Sequence, residues 1–237
     1  LSSDQALTAK MLRLANSSFY GVPRKVMSVQ DAISILGLRA VRSVVVAAAV
    51  TGSFKQEWCS GFDFHAFWRH SIGTAMCAQG LAREVGFDPD AAFTAGLLHD
   101  IGRLGLAVFS GRDYEAARRY QLEHGCLAHE AEQAVLGVDH SHIGDCIAEQ
   151  WKLSPVLIDA VRHHHEPIES VEPSLGALVH VADNMAHALG LSRVEDEMVP
   201  PMNLVVWSSM RLGEPACHAL FQQVEQQFDA LCQALLV

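Results

Sequence analysis

Read for its apolar positions alone, the chain is a succession of helices. "LTAKMLRLAN" (7–16) places Leu7, Met11 and Leu14 on one face and runs into the polar turn "NSSFYG". "SVQDAISILG" (28–37) opens with Ser28 as an N-cap and closes on Gly37 as a C-cap. The valines of "RAVRSVVVAAAVTGSF" (39–54) would suit a strand, but its length and its alanines favour a buried helix. "FHAFWRHSIGTAMCAQGLAREVG" (64–86) is a long helix stopped by Gly86. Asp88-Pro89 then starts "FDPDAAFTAGLLHD", with Pro in the first turn. Helical spacing continues through "DYEAARRYQLEHG", "LAHEAEQAVLG", "DHSHIGDCIAEQW", "SPVLIDAVRHHH", "SLGALVHVADNMAHALG", "MNLVVWSSMRLG" and "PACHALFQQVEQQFDALCQAL". No hairpin signal interrupts the series. The expected fold class is all-α, with about ten or eleven helices by these cap and period rules.

Composition narrows the class. Of 237 residues half are hydrophobic and 19% are charged, so the chain is globular and long enough to bury a core. Its longest apolar run, "VVVAAAV" (44–50), falls far short of the roughly 18 residues of a membrane span, so no membrane partner is expected. The net charge of −10 argues against a nucleic-acid polymer as partner, which needs a basic footprint. Six cysteines without a CxxC pair read as reduced thiols of a cytoplasmic protein. The chain opens on Leu1 without Met, as a segment of a longer protein would. Its softest internal boundary is "FKQEWCSGFDF" (54–64). This divides a part without histidine (1–57) from a part holding all thirteen (58–237).

The chemistry concentrates in polar residues set within apolar helices. These are His70 in "FWRHSIGTA", His99-Asp100 in "LLHDIGRLG", His140 in "GVDHSHIG", His164-His165 in "VRHHHEP", and Asp183 in "VHVADNMA". Imidazole and carboxylate together suit Fe, Mn, Zn or Ni. Side chains of adjacent residues leave a helix about 100° apart and can reach one cavity from two directions. A carboxylate can bridge two ions through its two oxygens. Any one such histidine is more often a satisfied core residue than a ligand. "LLHD" is more telling, because an unanswered buried carboxylate is costly.

The order His, His-Asp, His, His-His, Asp resembles the HD superfamily of metal-dependent phosphohydrolases. The resemblance is nearer to its HDOD branch, the HD-related output domains of bacterial signalling. "LTAKMLRLANSSFYG" and "SVQDAISILGLRAVRSVVV" resemble the N-terminal helical subdomain of that branch. "FWRHSIGTA", "AGLLHDIGRLGL", "LGVDHSHIGDCIAEQWKLSPVLIDAVRHHHEP" and "LVHVADNMA" follow the HD-like core. The resemblance implies two divalent transition-metal ions, Fe or Mn before Zn or Ni. His70, His99, Asp100 and Asp183 would hold one. Asp100 would bridge to a second, held by His140, His164 and His165. Arg103 stands where the related HD-GYP phosphodiesterases carry Lys, and would contact a substrate phosphate; the alternative is an ordinary surface arginine. His163 reads as a solvated neighbour or as a partner of a ligand's imidazole N–H, His142 and His180 as outer neighbours of the ligands or boundary residues, and His187 as an alternative ligand on the face of His180 and Asp183. His65, His124, His129 and His218 read as surface or boundary residues.

One departure matters. No GYP segment follows "HHHEP", which speaks against cyclic-dinucleotide hydrolysis. The expected function is a signalling output module that binds metal, whose partners are signalling proteins or an attached regulatory domain. A metal-dependent phosphohydrolase, with Asp100 as its central residue, is the alternative. A non-catalytic nucleotide receptor is the third reading.

Overall fold

The computed structural model describes residues 5–17, 25–28, 30–35, 37, 61–170, 172–194 and 198–236. Among them there is no strand, and the helices follow the apolar spacing closely. They are α1 (Gln5–Ala15), α2 (Phe64–Val85), α3 (Pro89–Leu98), α4 (Ile101–Phe109), α5 (Gly111–His124) and α6 (Ala128–Leu136). These are followed by α7 (His140–Gln150), α8 (Pro155–His163), α9 (Leu175–Ala188), α10 (Leu204–Ser209) and α11 (Glu214–Leu236). Residues 30–35 are also helical; the Asp31 amide donates to Ser28 Oγ, and Gly37 has positive φ. The valine run at 39–54, most of the "NSSFYG" turn and the boundary near residue 57 lie outside the described residues.

Local chemistry sets the helix ends. Asp63 accepts from the Ala66 amide at the start of α2, Asp88 from Asp90 and Ala91 at the start of α3, and Ser174 from Ala177 at the start of α9. Each answers a backbone donor that the first helical turn leaves without a partner. Gly86, Gly125 and Gly137 close α2, α5 and α6 in the left-handed conformation.

The helical path differs from the sequence expectation at one place that matters. "LLHDIGRLG" is not one helix: α3 ends at Leu98 and α4 begins at Ile101, with His99 and Asp100 in the turn between. An unbroken apolar run on both sides hides this break from periodicity. The run Pro89–Phe109 is apolar enough to pass for a membrane span, yet 78% of its most apolar window is buried in the fold. It is a core element.

The centre of the molecule is α2. It packs on α3, α9 and α11, while α9 packs on α8 and α4 packs on α7. Seventeen consecutive residues of α2, Ala66–Ala82, are buried, as are twelve of α9, Leu175–Ala186. The C-terminal α11 lays Leu220, Val224, Phe228 and Leu231 into the same core, as packing rather than a dimer seam would require. Arg69 pins this junction. It is buried, bonds the Leu191 carbonyl and Asp229, and lies 4.6 Å over the Phe228 ring. At the α4–α7 crossing a Cβ on Gly102 would come within 1.8 Å of the His140 carbonyl oxygen. Backbone touches backbone there because residue 102 has no side chain, and this brings His140 beside Asp100.

Candidate metal centre

Five parts of the fold deliver the seven candidate ligands to one place. α2 carries His70, the α3–α4 turn His99 and Asp100, and α7 begins at His140. His164 and His165 follow α8, and α9 carries Asp183. His99, His140 and His164 are at most 1% exposed.

The donor atoms form two overlapping sets. His140 Nε2 and His164 Nε2 lie 3.1 and 3.5 Å from Asp100 Oδ1, and His165 Nε2 lies 2.8 Å from His140 Nε2. On the other side, His70 Nε2 lies 2.9 Å from Asp183 Oδ1 and 3.3 Å from His99 Nε2, with Asp100 Oδ2 at 4.0 Å. Asp100 stands between the sets: Oδ1 faces His140, His164 and, at 3.7 Å, His99, while Oδ2 is turned towards His70 and accepts from Arg103.

Tautomers sharpen the chemistry. His99 Nδ1 bonds the Gly96 carbonyl (2.7 Å), His164 Nδ1 the Val161 carbonyl (2.8 Å), and His140 Nδ1 the Glu132 carboxylate (2.6 Å). Those oxygens only accept, so each Nδ1 carries its proton outward and Nε2 is left to face the centre. His164 Nε2 is buried with no hydrogen-bond partner among the described residues. A buried core of ring nitrogens and carboxylate oxygens pointed at one another is unfavourable without a cation or protons between them. The spacing fits a cation: two donors at right angles on an ion with bonds of about 2.1 Å stand about 3 Å apart.

Ionisation follows from the same contacts. Burial alone would raise the Asp100 carboxyl, but His99, His140 and Arg103 hold it well below the usual carboxylate range. Asp183 is held low against burial by His187, His70 and His99. Burial opposes the charge on His140, yet Glu132 and Asp100 push it up to about 10. Burial lowers His164, and burial with the neighbouring His164 and His140 lowers His165 strongly. A proton on His140 Nε2 does between that ring and Asp100 what a metal ion would do.

Residues outside the seven complete the picture. Glu132 is the omission of the sequence reading. It is buried on α6, eight residues before His140, and also accepts from the His140 amide (2.8 Å). Nothing in "LAHEAEQAVLG" separates it from the exposed Glu130 beside it. His129, read as a surface or boundary residue, is half-buried and stacks on His165 with ring centroids 4.2 Å apart. His180 is buried between the His164 carbonyl (2.7 Å from Nδ1) and the Asn203 amide (3.1 Å from Nε2), an outer neighbour as expected. His163 bonds Asp159, and His142, largely exposed, bonds Asp139. Arg103 donates to Asp100 Oδ2 (3.0 Å) and lines the cavity over the centre. That cavity holds about 530 Å³ and is lined by His70, Asp100, His140 and Asp183 together with Tyr114 and Arg118 of α5.

An all-helical fold with a His/His-Asp/His/His-His/Asp core defines an HD-type helical domain. The sequence pattern of the HDOD domain matches residues 1–167, and the chain belongs to that family. A crystal structure of an HDOD domain protein of unknown function from Geobacter sulfurreducens superposes with a TM-score of 0.84 at 25% identity. It covers all of this chain and 85% of that one. A Shewanella amazonensis protein, provisionally named a phosphohydrolase, has a TM-score of 0.79 at 26% identity, covering 99% and 84%. Ribonuclease Y of Opitutus terrae is 32% identical over 126 residues, 53% of this chain and 19% of that protein. The chain spans a third or less of the length of the curated relatives it matches.

Proposed function

We propose that this chain is a metal-binding HDOD module of bacterial signalling, built on a two-ion centre and working beside partner proteins or an attached domain in the cytoplasm. One observation carries the reading: three buried imidazoles, of His99, His140 and His164, commit Nδ1 outward and converge through Nε2 on the Asp100 carboxylate, which stands between the two donor sets. His70, His99, Asp100 and Asp183 would hold one ion; Asp100, His140, His164 and His165 the other. Bound there, such ions would polarise a phosphoryl oxygen and activate water. The chain's own part is to fix the donors, exclude bulk water from them, and hold Asp100 ionised. Elemental analysis of untagged protein purified without chelator should give about two transition-metal ions per chain. Asp100→Ala should give almost none. Metal-free wild type that stays so after reconstitution with Fe, Mn, Zn or Ni would overturn the reading.

A second reading, phosphoester hydrolysis, is favoured by the cavity and by Arg103 at its edge. The likeness to a provisionally named phosphohydrolase and to a ribonuclease supports it. The net charge of −10 favours a small phosphoester over a polymer. Turnover of a generic aryl phosphodiester by the metal-loaded chain, lost in Asp100→Ala, would establish it. Nucleotide binding without turnover would instead single out a receptor.

A further inference from the structure

We infer that His187 is a metal ligand, joining His70, His99, Asp100 and Asp183 so that one ion of the centre has five protein donors and the other four. This rests on the two-ion reading above.

The argument begins on α9. Asp183 and His187 are four residues apart and share a helix face. His187 Nε2 lies 3.5 Å from Asp183 Oδ1, the same oxygen that stands 2.9 Å from His70 Nε2 and 3.4 Å from His99 Nε2. Ligand atoms of His70, Asp183 and His187 all lie within 4.8 Å of one another. Three imidazole nitrogens around one buried carboxylate oxygen are arranged as donors around an ion beside that oxygen. The His187 ring is tilted 39° to that of His70 at 4.4 Å and lines the cavity, so a donor there reaches the centre from the open side.

The other histidines near the centre do not offer this. His180, on the same helix, has both nitrogens committed, to the His164 carbonyl and the Asn203 amide. His163 and His142 turn to Asp159 and Asp139. His129 stacks on His165 but belongs to no donor group among the described residues.

The consequence is an unequal pair. Five protein donors exceed the four of a structural zinc site and suit an ion that accepts six ligands, such as Mn, Fe, Co or Ni. The ion on Asp100, His140, His164 and His165 keeps more positions for water or a ligand. A phosphoryl group entering the cavity would therefore land at the end marked by His165, not at His187.

The test is a titration of the metal-free full chain with Co²⁺, followed by visible absorption, for wild type, His187→Ala and His187→Phe. We expect wild type to take two ions. In both variants one ion should bind at least about tenfold more weakly, with its d–d bands shifted and the other ion unchanged. If His187→Phe keeps wild-type affinity and bands while His187→Ala loses them, the ring acts by packing on His70 and the inference fails. If both match wild type, it fails as well. His187→Gln replaces the alanine variant should that one not fold. Wild type that takes no Co²⁺ would instead bring down the two-ion reading, a failure visible before any variant is made.

Discussion

A buried carboxylate persists only where its charge is answered, and Asp100 is answered by His99, His140, His164 and Arg103. His140 is the hinge of that arrangement, held between Asp100 and Glu132. Glu132 fixes the His140 tautomer, so Glu132→Gln should weaken metal binding about tenfold to a hundredfold without emptying the centre. Isothermal titration with Co²⁺ would measure this; unchanged affinity would remove Glu132 from the site. The same pair predicts a pH dependence. With its folded value pushed up to about 10, His140 is protonated at neutral pH in the metal-free chain. Its contribution to stability is full below the unfolded value of about 6.5 and is lost as pH rises through about 10. A metal ion must displace that proton. Apparent affinity should therefore climb about tenfold or more per pH unit between pH 7 and 9, with at least about one proton released per chain, since against burial Asp100 and Asp183 also raise His99. Titration in buffers of different ionisation enthalpy reads the proton directly, and a flat profile would contradict it.

At the scale of elements, the turn between α3 and α4 and the crossing of α4 with α7 place the chemistry. The cap residues, the glycine stops and the helix succession were legible in the sequence because each rests on neighbours a few residues apart. The turn at His99-Asp100 was not, since apolar residues on both sides continue as a helix would. Glu132 was not, because its partner lies across a loop and no local pattern marks a buried glutamate. The seven candidate ligands were named in order from their apolar settings and the family resemblance, and the fold brings them together. That His129 would stack on His165 depends on α6 meeting the segment that follows α8, far along the chain. Gly102→Ala tests the crossing. The new methyl would meet the His140 carbonyl at 1.8 Å and the Gly144 nitrogen at 2.6 Å. It should cost about 1–3 kcal/mol of stability and lower metal occupancy with it, read by thermal melting and elemental analysis. A variant as stable and as metal-rich as wild type would mean the helices separate freely.

At the scale of the molecule, the family pattern and the folding unit do not coincide. The pattern ends at residue 167, yet Asp183 and the buried face of α9 lie beyond it. The Geobacter structure superposes over the whole chain, α9 to α11 included. Leu178, Val179, Val181 and Ala182 are fully buried against the central helices, and α11 seals α2 through Arg69 and Phe228. A chain cut after residue 167 should lose cooperative melting and bind no more than one ion; a folded, two-ion fragment would refute this.

The crossing at Gly102 also bears on which ions the protein admits. Backbone resting on backbone leaves the two segments little room to approach further, so the main chain that roots Asp100 and His140 is held at a set separation. A site that cannot dilate sorts its visitors by radius. Calcium, with bonds of about 2.3–2.6 Å and a preference for oxygen, should therefore bind there more weakly than the smaller transition ions, which competition of Ca²⁺ against Co²⁺ would measure.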